Sequence, residues 1–447
     1  MTLINIFALM LSDIFVVVLL FSSVQEKEKR ASFVSLSMLI INTLIWSILI
    51  YFHGIFLVTV INYVFLFGFL VLVNISFIKY FPKEESIDLL DVEQYDERDN
   101  MFSRNNLKQH PDLAKQYYAM HPEKESNDRK MHQKPDLYHA GTKFFDLRWS
   151  PLPEAAFAYL KRTRLVVKGE KRPEEQELDK HKITAMIKEI ALMYGAIDIG
   201  ITKIRKYHYY SHAGRHPENW GHPINNSHTY AIAIIVAMDI DRIKKAPGLP
   251  VLIESSRQYV ESAKIAHIIA EYIRTLGYDA RSHVDGNYEV LCVPVARDAG
   301  LGEVGRIGLL MHRRYGPCVR ISVVTTELEL ETSEADNQHM QNFCKICKKC
   351  AENCPTHSIP AVDKTEQRGF KHWFINQETC YAFWRVIGSD CAFCIRVCPY
   401  TKPNTFLHTL VRYYISRNPV NQHIALFFDD LLFGKKFPVP CPLITVP

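Results

Sequence analysis

The sequence predicts three membrane-spanning helices, then a mixed α/β body with at least one crossover, then a small cysteine-rich module. Three observations predict it. Apolar residues crowd the first 80 positions, strand-like and helix-like patterns alternate through the middle, and eight of the eleven cysteines fall between Cys344 and Cys398. The chain has 447 residues, 48% hydrophobic and 23% charged, which excludes a disordered or collagen-like protein. Its formal charge of +5 is too small an excess to argue for nucleic-acid binding, which usually comes with a clustered basic face, so nucleic acid is not an expected partner.

The apolar runs are 3–21, 33–52 and 55–78. Each matches a hydrocarbon core of about 30 Å, which takes about 20 helical residues. A signal peptide fits the first run poorly, because no basic region precedes it and two further spans follow. Asp13 interrupts that run, and a carboxylate at such depth faces either a partner helix or a quinone-like site, or sits near an interface. Lys27, Lys29 and Arg30 follow the first run, Lys79 and Lys83 follow the third, and the link around His53 has no Lys or Arg. This bias predicts a cytoplasmic first loop and body, in a multi-pass protein of the cytoplasmic (inner) membrane.

Residues 82–180 are polar and read as a linker and wrapping segment. The helical period of His181–Tyr194 closes at Gly195. Ala196–Lys203, Thr229–Met238, Glu289–Pro294 and Val319–Thr325 read as strands, and Glu254–Leu276 as a long helix closed by Gly277. The divisions are therefore 1–81, 82–180, 181–335, 336–410 and a C-terminal extension at 411–447.

The first cysteine run, FCKICKKCAENCP, has the C-x2-C-x2-C-x3-C-P spacing of two-cluster ferredoxins. The second places Cys380 before CAFCIRVCP. Three thiolates on a short loop hold one face of a cube, and the fourth points to the other cube. Cys344, Cys347, Cys350 and Cys398 then hold one [4Fe–4S] cluster, and Cys354, Cys380, Cys391 and Cys394 the other. Zinc would use sets without the crossed fourth ligand, and disulfides conflict with a cytoplasmic body. Cys292, Cys318 and Cys441 read as ordinary buried residues. Two clusters make a one-electron relay but leave roughly 300 soluble residues unexplained by electron transfer alone.

Several stretches resemble the corrinoid- and iron–sulfur-dependent reductive dehalogenases, from Glu97 to Pro399. They are ERDNMFSR, YYAMHPE, GITKIRKYHYYSHAGRHPENWGHPI, HTYAIAIIVAMD, the segment from SSRQYVES to DGNYEV, DAGLGEVGRIGLLMHRRYGPCVRISVVTTELEL and both cysteine runs. Respiratory members of that family begin with a twin-arginine export signal and use a separate anchor; this sequence resembles the membrane-integral variety. The resemblance implies a nitroreductase-like corrinoid-binding domain and a ferredoxin-like module. It also implies base-off cobalamin beside one cluster, an organohalide substrate, and a ferredoxin, flavodoxin or quinol as electron donor. The glycine-rich stretch, with Gly300, Gly302, Gly305, Arg306 and Gly308, fits the corrinoid role, since glycines let backbone approach a flat ligand closely; alone it is a glycine-rich turn. Matching the family's catalytic positions gives Tyr259 as proton donor, Arg320 as its charge partner, and Asn287 as an orienting residue. Competing functions are an epoxyqueuosine-reductase-like enzyme and a membrane-tethered iron–sulfur electron-transfer protein.

Overall fold

The computed structural model describes residues 2–52, 54–81, 92–334 and 338–437. His53, Lys83, Cys441 and the 335–336 boundary lie outside the described residues. The chain divides into two compact units, Met1–Glu84 with Pro403–Phe437, and a body that includes Glu85–Lys402.

In the first unit, α1 (Thr2–Gln25), α2 (Lys29–Tyr51) and α3 (Phe56–Phe77) are long and apolar enough to cross a membrane, and their side chains are mostly exposed. Asp13 faces a partner helix: Asn42 Nδ2 donates to its carboxylate at 2.7 Å and Thr43 Oγ1 at 3.1 Å. Such bonds between helices satisfy polar groups that lipid cannot.

The body is built on a four-stranded sheet. Helix α4 (Lys180–Met193) starts where Asp179 accepts from Lys182 N, and Gly195 follows it at φ +105°. Strands β1 (Asp198–Lys203) and β2 (Tyr230–Ala237) come next. The 27-residue α5 (Leu249–Thr275) follows, then β3 (Ala280–His283). Helix α6 (Cys292–Asp298), the hairpin β4 (Glu303–Val304) and β5 (Leu310–Met311), and β6 (Val319–Thr326) complete it.

The sheet order is β1-β2-β6-β3, every neighbouring pair antiparallel. Because β2 and β3 both run against β6, α5 is a crossover between parallel strands. The run YAIAIIVA of β2 is buried on both sides. Ile232, Ile234 and Val236 pack with Ala266, Ile269 and Ile273 of α5, and Ala231, Ala233 and Ile235 pack with Val295 and Ala296 of α6. By the same alternation, Arg320 of β6 lies on the α5 face, since Val319 and Ile321 belong to the other.

Two expectations differ. Residues 289–294 form no strand: Val290 makes a single bridge to Tyr209 and α6 begins at Cys292, where Pro294 sits in the first turn, which needs no N–H. A short apolar run does not distinguish strand from helix. Conversely, β3 reads ARSH and has no apolar pattern, yet all four residues are buried.

The segment from 92 to 180 forms short helices tied to the cysteine module. Arg104, 1% exposed, donates to Asp128 at 2.7 Å and 3.0 Å and pairs with Glu378 at 2.7 Å. Glu378 lies on α7 (Gln377–Ile387), which carries Cys380. Removing one member of a buried ion pair strands the other charge. Asp128→Ala should therefore destabilise the body by about 3 kcal/mol, read as a lower thermal unfolding midpoint; an unchanged midpoint would refute this role.

Candidate active site

A cleft of about 470 Å³ opens beside the sheet. Its wall includes Tyr259 of α5, Arg320 of β6, Tyr288, Cys292 of α6, and Gly308 and Leu309 from the β4–β5 turn. Tyr259 and Arg320 are brought together, the guanidinium carbon 5.0 Å from the ring centre. Ser255 lies one helical turn before Tyr259, on the same face of α5. Arg320 Nη2 donates to Ser255 Oγ and pairs with Asp390 at 3.4 Å, while Ser255 Oγ donates to Asp390 at 2.5 Å. Asp390 immediately precedes Cys391, so this network joins the cleft to the second cysteine run.

Burial pushes the Tyr259 phenol up to about 12, although Arg320 pulls the other way. The hydroxyl therefore keeps its proton at neutral pH. Arg320 Nε is buried without a hydrogen-bond partner among the described residues. An orphaned buried donor at a cleft wall is what a bound polar or anionic group would satisfy.

Asn287 is buried but does not line the cleft. Its Oδ1 meets His216 Nε2 at 3.2 Å, and its amide donates to Asp285 O at 3.5 Å; the next residue, Tyr288, lines the cleft instead. Of Gly300, Gly302, Gly305, Arg306 and Gly308, only Gly308 lines it, at φ +70° with open space where a Cβ would stand. Gly300 follows the end of α6 at φ +77°. A Cβ on Gly302 would lie 2.2 Å from Met311 O, and one on Gly305 2.7 Å from Met311 Cγ. These two glycines admit the chain's own hairpin. Arg306 is 1% exposed and donates to the carbonyls of Cys344, Pro360 and Val362. Its side chain reaches the first cysteine loop, not the cleft.

The cysteines fall into two neighbourhoods. Burial pushes the Cys398 thiol up, and Cys344, Cys347 and Cys350 push it further. Cys394 is raised by burial and then by Cys391, Cys380 and Cys354. Cys350 is raised by burial and feels both Cys344 and Cys394, so the two sets adjoin. Among the described residues no three His, Cys, Asp or Glu side chains are gathered closely enough for one metal ion. Two crossed sets of four thiols with wider spacing fit iron–sulfur cubes. Leu309, in the cleft wall, packs against a buried cluster that includes Cys354, and Cys350 and Cys394 pack against the same cluster. The largely apolar, aromatic wall and the open space at Gly308 suit a broad, flat redox group such as a corrinoid. Ser255, Asp390 and Tyr288 were not evident from the sequence; only the i, i+4 spacing of Ser255 and Tyr259 pointed to a shared face.

Residues 343–402 match the 4Fe-4S dicluster domain family. Across 219 residues the chain is 34% identical to a tetrachloroethene reductive dehalogenase of Desulfitobacterium hafniense and 35% identical to one of Dehalobacter restrictus. Each alignment covers 46% of this chain and 39% of the relative, so the chain spans about two fifths of the length of these relatives. An epoxyqueuosine reductase of Lactococcus garvieae is 29% identical over 120 residues, 25% of this chain and 32% of that protein. The solved structure of the catabolic reductive dehalogenase NpRdhA superposes with a TM-score of 0.63 at 23% identity, covering 81% of this chain and 50% of that one. The chain thus has the reductive dehalogenase fold.

The crossed cysteine sets make a direct prediction. Cys398→Ala should remove iron from the cluster whose other ligands lie in the first run. Iron counting on an anaerobically purified variant checks this, and two intact clusters would refute the assignment.

Proposed function

We propose that this chain is a membrane-bound reductive dehalogenase that converts R–X, two electrons and a proton to R–H and halide. The observation that carries the reading is the Tyr259–Arg320 pair in a cleft that Leu309 also lines, Leu309 packing against the buried cluster that includes Cys354. Cys344, Cys347, Cys350 and Cys398 would hold one [4Fe–4S] cluster, and Cys354, Cys380, Cys391 and Cys394 the other. The wall at Gly308 and Leu309 would receive the corrinoid, supported from behind by Gly300, Gly302, Gly305 and Arg306. When bound, the clusters deliver single electrons and base-off cobalamin supplies the reducing centre.

The chain's own residues manage the proton and the substrate. Tyr259 holds the proton on its phenol oxygen and gives it to the carbon that loses halide. Arg320 stabilises the tyrosinate left behind, and Ser255 and Asp390 fix the guanidinium beside the ring. Asn287, through the loop that carries Tyr288, positions the substrate side of the cleft. The three helices anchor the protein in the cytoplasmic membrane. Lys27, Lys29, Arg30 and Lys79 place the body on the cytoplasmic side. Electrons enter from a ferredoxin, flavodoxin or quinol, and an organohalide is the substrate. Resemblance to an epoxyqueuosine reductase covers a quarter of the chain, and three spans do not suit a tRNA substrate.

Cobalt analysis and a visible spectrum of anaerobically purified protein test the corrinoid. Halide release from chlorinated and brominated aromatics and alkenes, driven by reduced viologen, tests the reaction. Protein with both clusters but no cobalt would instead be an electron-transfer protein.

Tyr259→Phe keeps the ring and removes the O–H. General acid catalysis contributes about 10²–10⁴-fold, so turnover should fall by that factor while corrinoid content holds. Arg320→Met should lose a similar amount, and the double variant little more, because the two act as one unit. Near wild-type turnover in Tyr259→Phe with all cofactors present would sink the assignment. The raised phenol pKa adds a sign: a donor works while protonated. Turnover should therefore not decline through Tyr259 ionisation between about pH 7 and about pH 10. A drop at pH 8 that Tyr259→Phe abolishes would contradict the buried, protonated phenol.

A further inference from the structure

The last two helices, α8 (Phe406–Ile415) and α9 (Pro419–Phe433), belong to the same compact unit as the three long apolar helices. Several polar ties from these helices and the link between them reach one end of that bundle. His408 Nε2 meets Glu26 at 2.9 Å, just past α1. Arg30, at the start of α2, donates through Nε to Leu431 O at 3.2 Å. Arg417 Nη2 donates to Phe77 O at 2.7 Å, and Asn418 Nδ2 to the carbonyls of Ile75 at 2.9 Å and Ile78 at 3.0 Å. Asn421 Nδ2 adds a bond to Ser76 O at 3.1 Å. Carbonyls in the last turn of α3, where intrahelical donors run out, gain side-chain donors this way. The end of α1, the start of α2 and the end of α3 lie on one side of a three-span bundle, so α8 and α9 lie at that side too.

The faces of these helices are inverted relative to a soluble protein. On α9 the inward face carries two buried amides, Asn421 at 0% and Gln422 at 1% exposed, with Leu432 beside them. Val420, Phe427 and Leu431 fall on one opposite stripe, with Phe427 64% exposed. On α8, Phe406, Leu410 and Tyr413 share an outward stripe, with Phe406 83% exposed. A helix in water turns its apolar stripe to the core. With 10 and 15 residues, neither can cross a bilayer, which takes about 20. Lys27, Lys29, Arg30 and Lys79 stand at the same ends, where anionic headgroups would meet them.

We infer that α8 and α9 form a collar lying in the interfacial layer of the bilayer, with their apolar stripes against the acyl chains. The inference rests on the membrane-spanning reading of α1–α3. The collar gives the C-terminal part of the chain a second anchor on the membrane, lying on it and not through it.

Full-length protein in nanodiscs of phosphatidylcholine and phosphatidylglycerol tests it. A photoreactive benzophenone amino acid replaces Phe406 or Phe427, both exposed and so replaceable without disturbing the core. A third form carries it at Phe65, on the exposed face of α3. After irradiation, mass spectrometry should find phospholipid adducts at all three positions. Adducts at Phe65 with none at Phe406 and Phe427 would overturn the collar and leave the spans intact. No lipid adduct at Phe65 would overturn the membrane reading and the collar with it. Crosslinks from Phe406 or Phe427 to another polypeptide would overturn the collar by showing that a protein covers this face.

Discussion

The side chain of Arg306 fixes the geometry on which the cleft and the first cysteine run both depend. Its guanidinium is 1% exposed, stacks 4.5 Å from the centre of the Trp373 ring, and donates to the carbonyls of Cys344, Lys345, Pro360 and Val362. A cation at that depth is tolerated only when its donors are filled. Filling them ties the hairpin to the helix Met340–Cys347 and to the loop that holds Pro360 and Val362. Arg385 does the same elsewhere: fully buried, it bonds Asn105 and the carbonyls of Lys134 and Pro135. Arg396 donates to Ala246 O at 2.6 Å. Loops that must hold thiols at set positions are thus held by charge-assisted bonds more than by an apolar core.

The β4–β5 hairpin carries Arg306 and also provides the cleft wall at Gly308 and Leu309. A side chain anchored behind the cleft therefore sets how near the cleft wall comes to Cys344, Cys350 and Cys394. In the same cleft, strand alternation turns Arg320 toward α5, and the helical period puts Ser255 and Tyr259 on one face. Asp390 completes the arrangement from the second cysteine run. The sheet positions Arg320, and the buried Arg306 ties down the hairpin that presents Gly308 and Leu309.

Much of this was legible in the residues, and for physical reasons. Cysteine spacing encodes reach along a short loop, so a two-cluster module could be read directly. Long apolar runs encode the hydrocarbon thickness they match, and YAIAIIVA encodes a strand covered on both sides. Glycine spacing was less informative. Gly302 and Gly305 leave room for Met311, while Gly308 leaves room in the cleft, and no pattern of letters separates the two uses. β3 carries arginine and histidine, whose burial depends on partners far along the chain. The roles of Ser255 and Asp390 depend on meeting across 135 positions. The inverted faces of α8 and α9 read as ordinary amphipathic helices until their neighbours are known.

The helical unit is assembled from two segments far apart in the chain, Met1–Glu84 and Pro403–Phe437. Synthesis proceeds from the N-terminus, so α1–α3 emerge well before the segment that caps α3. Between them lies the entire body, which folds as its own unit. The carbonyls of Ser76, Phe77 and Ile78 therefore wait for side chains that lie at 417–421. A chain cut before Arg417 would keep α1–α3 and its body but leave that helix end unsealed.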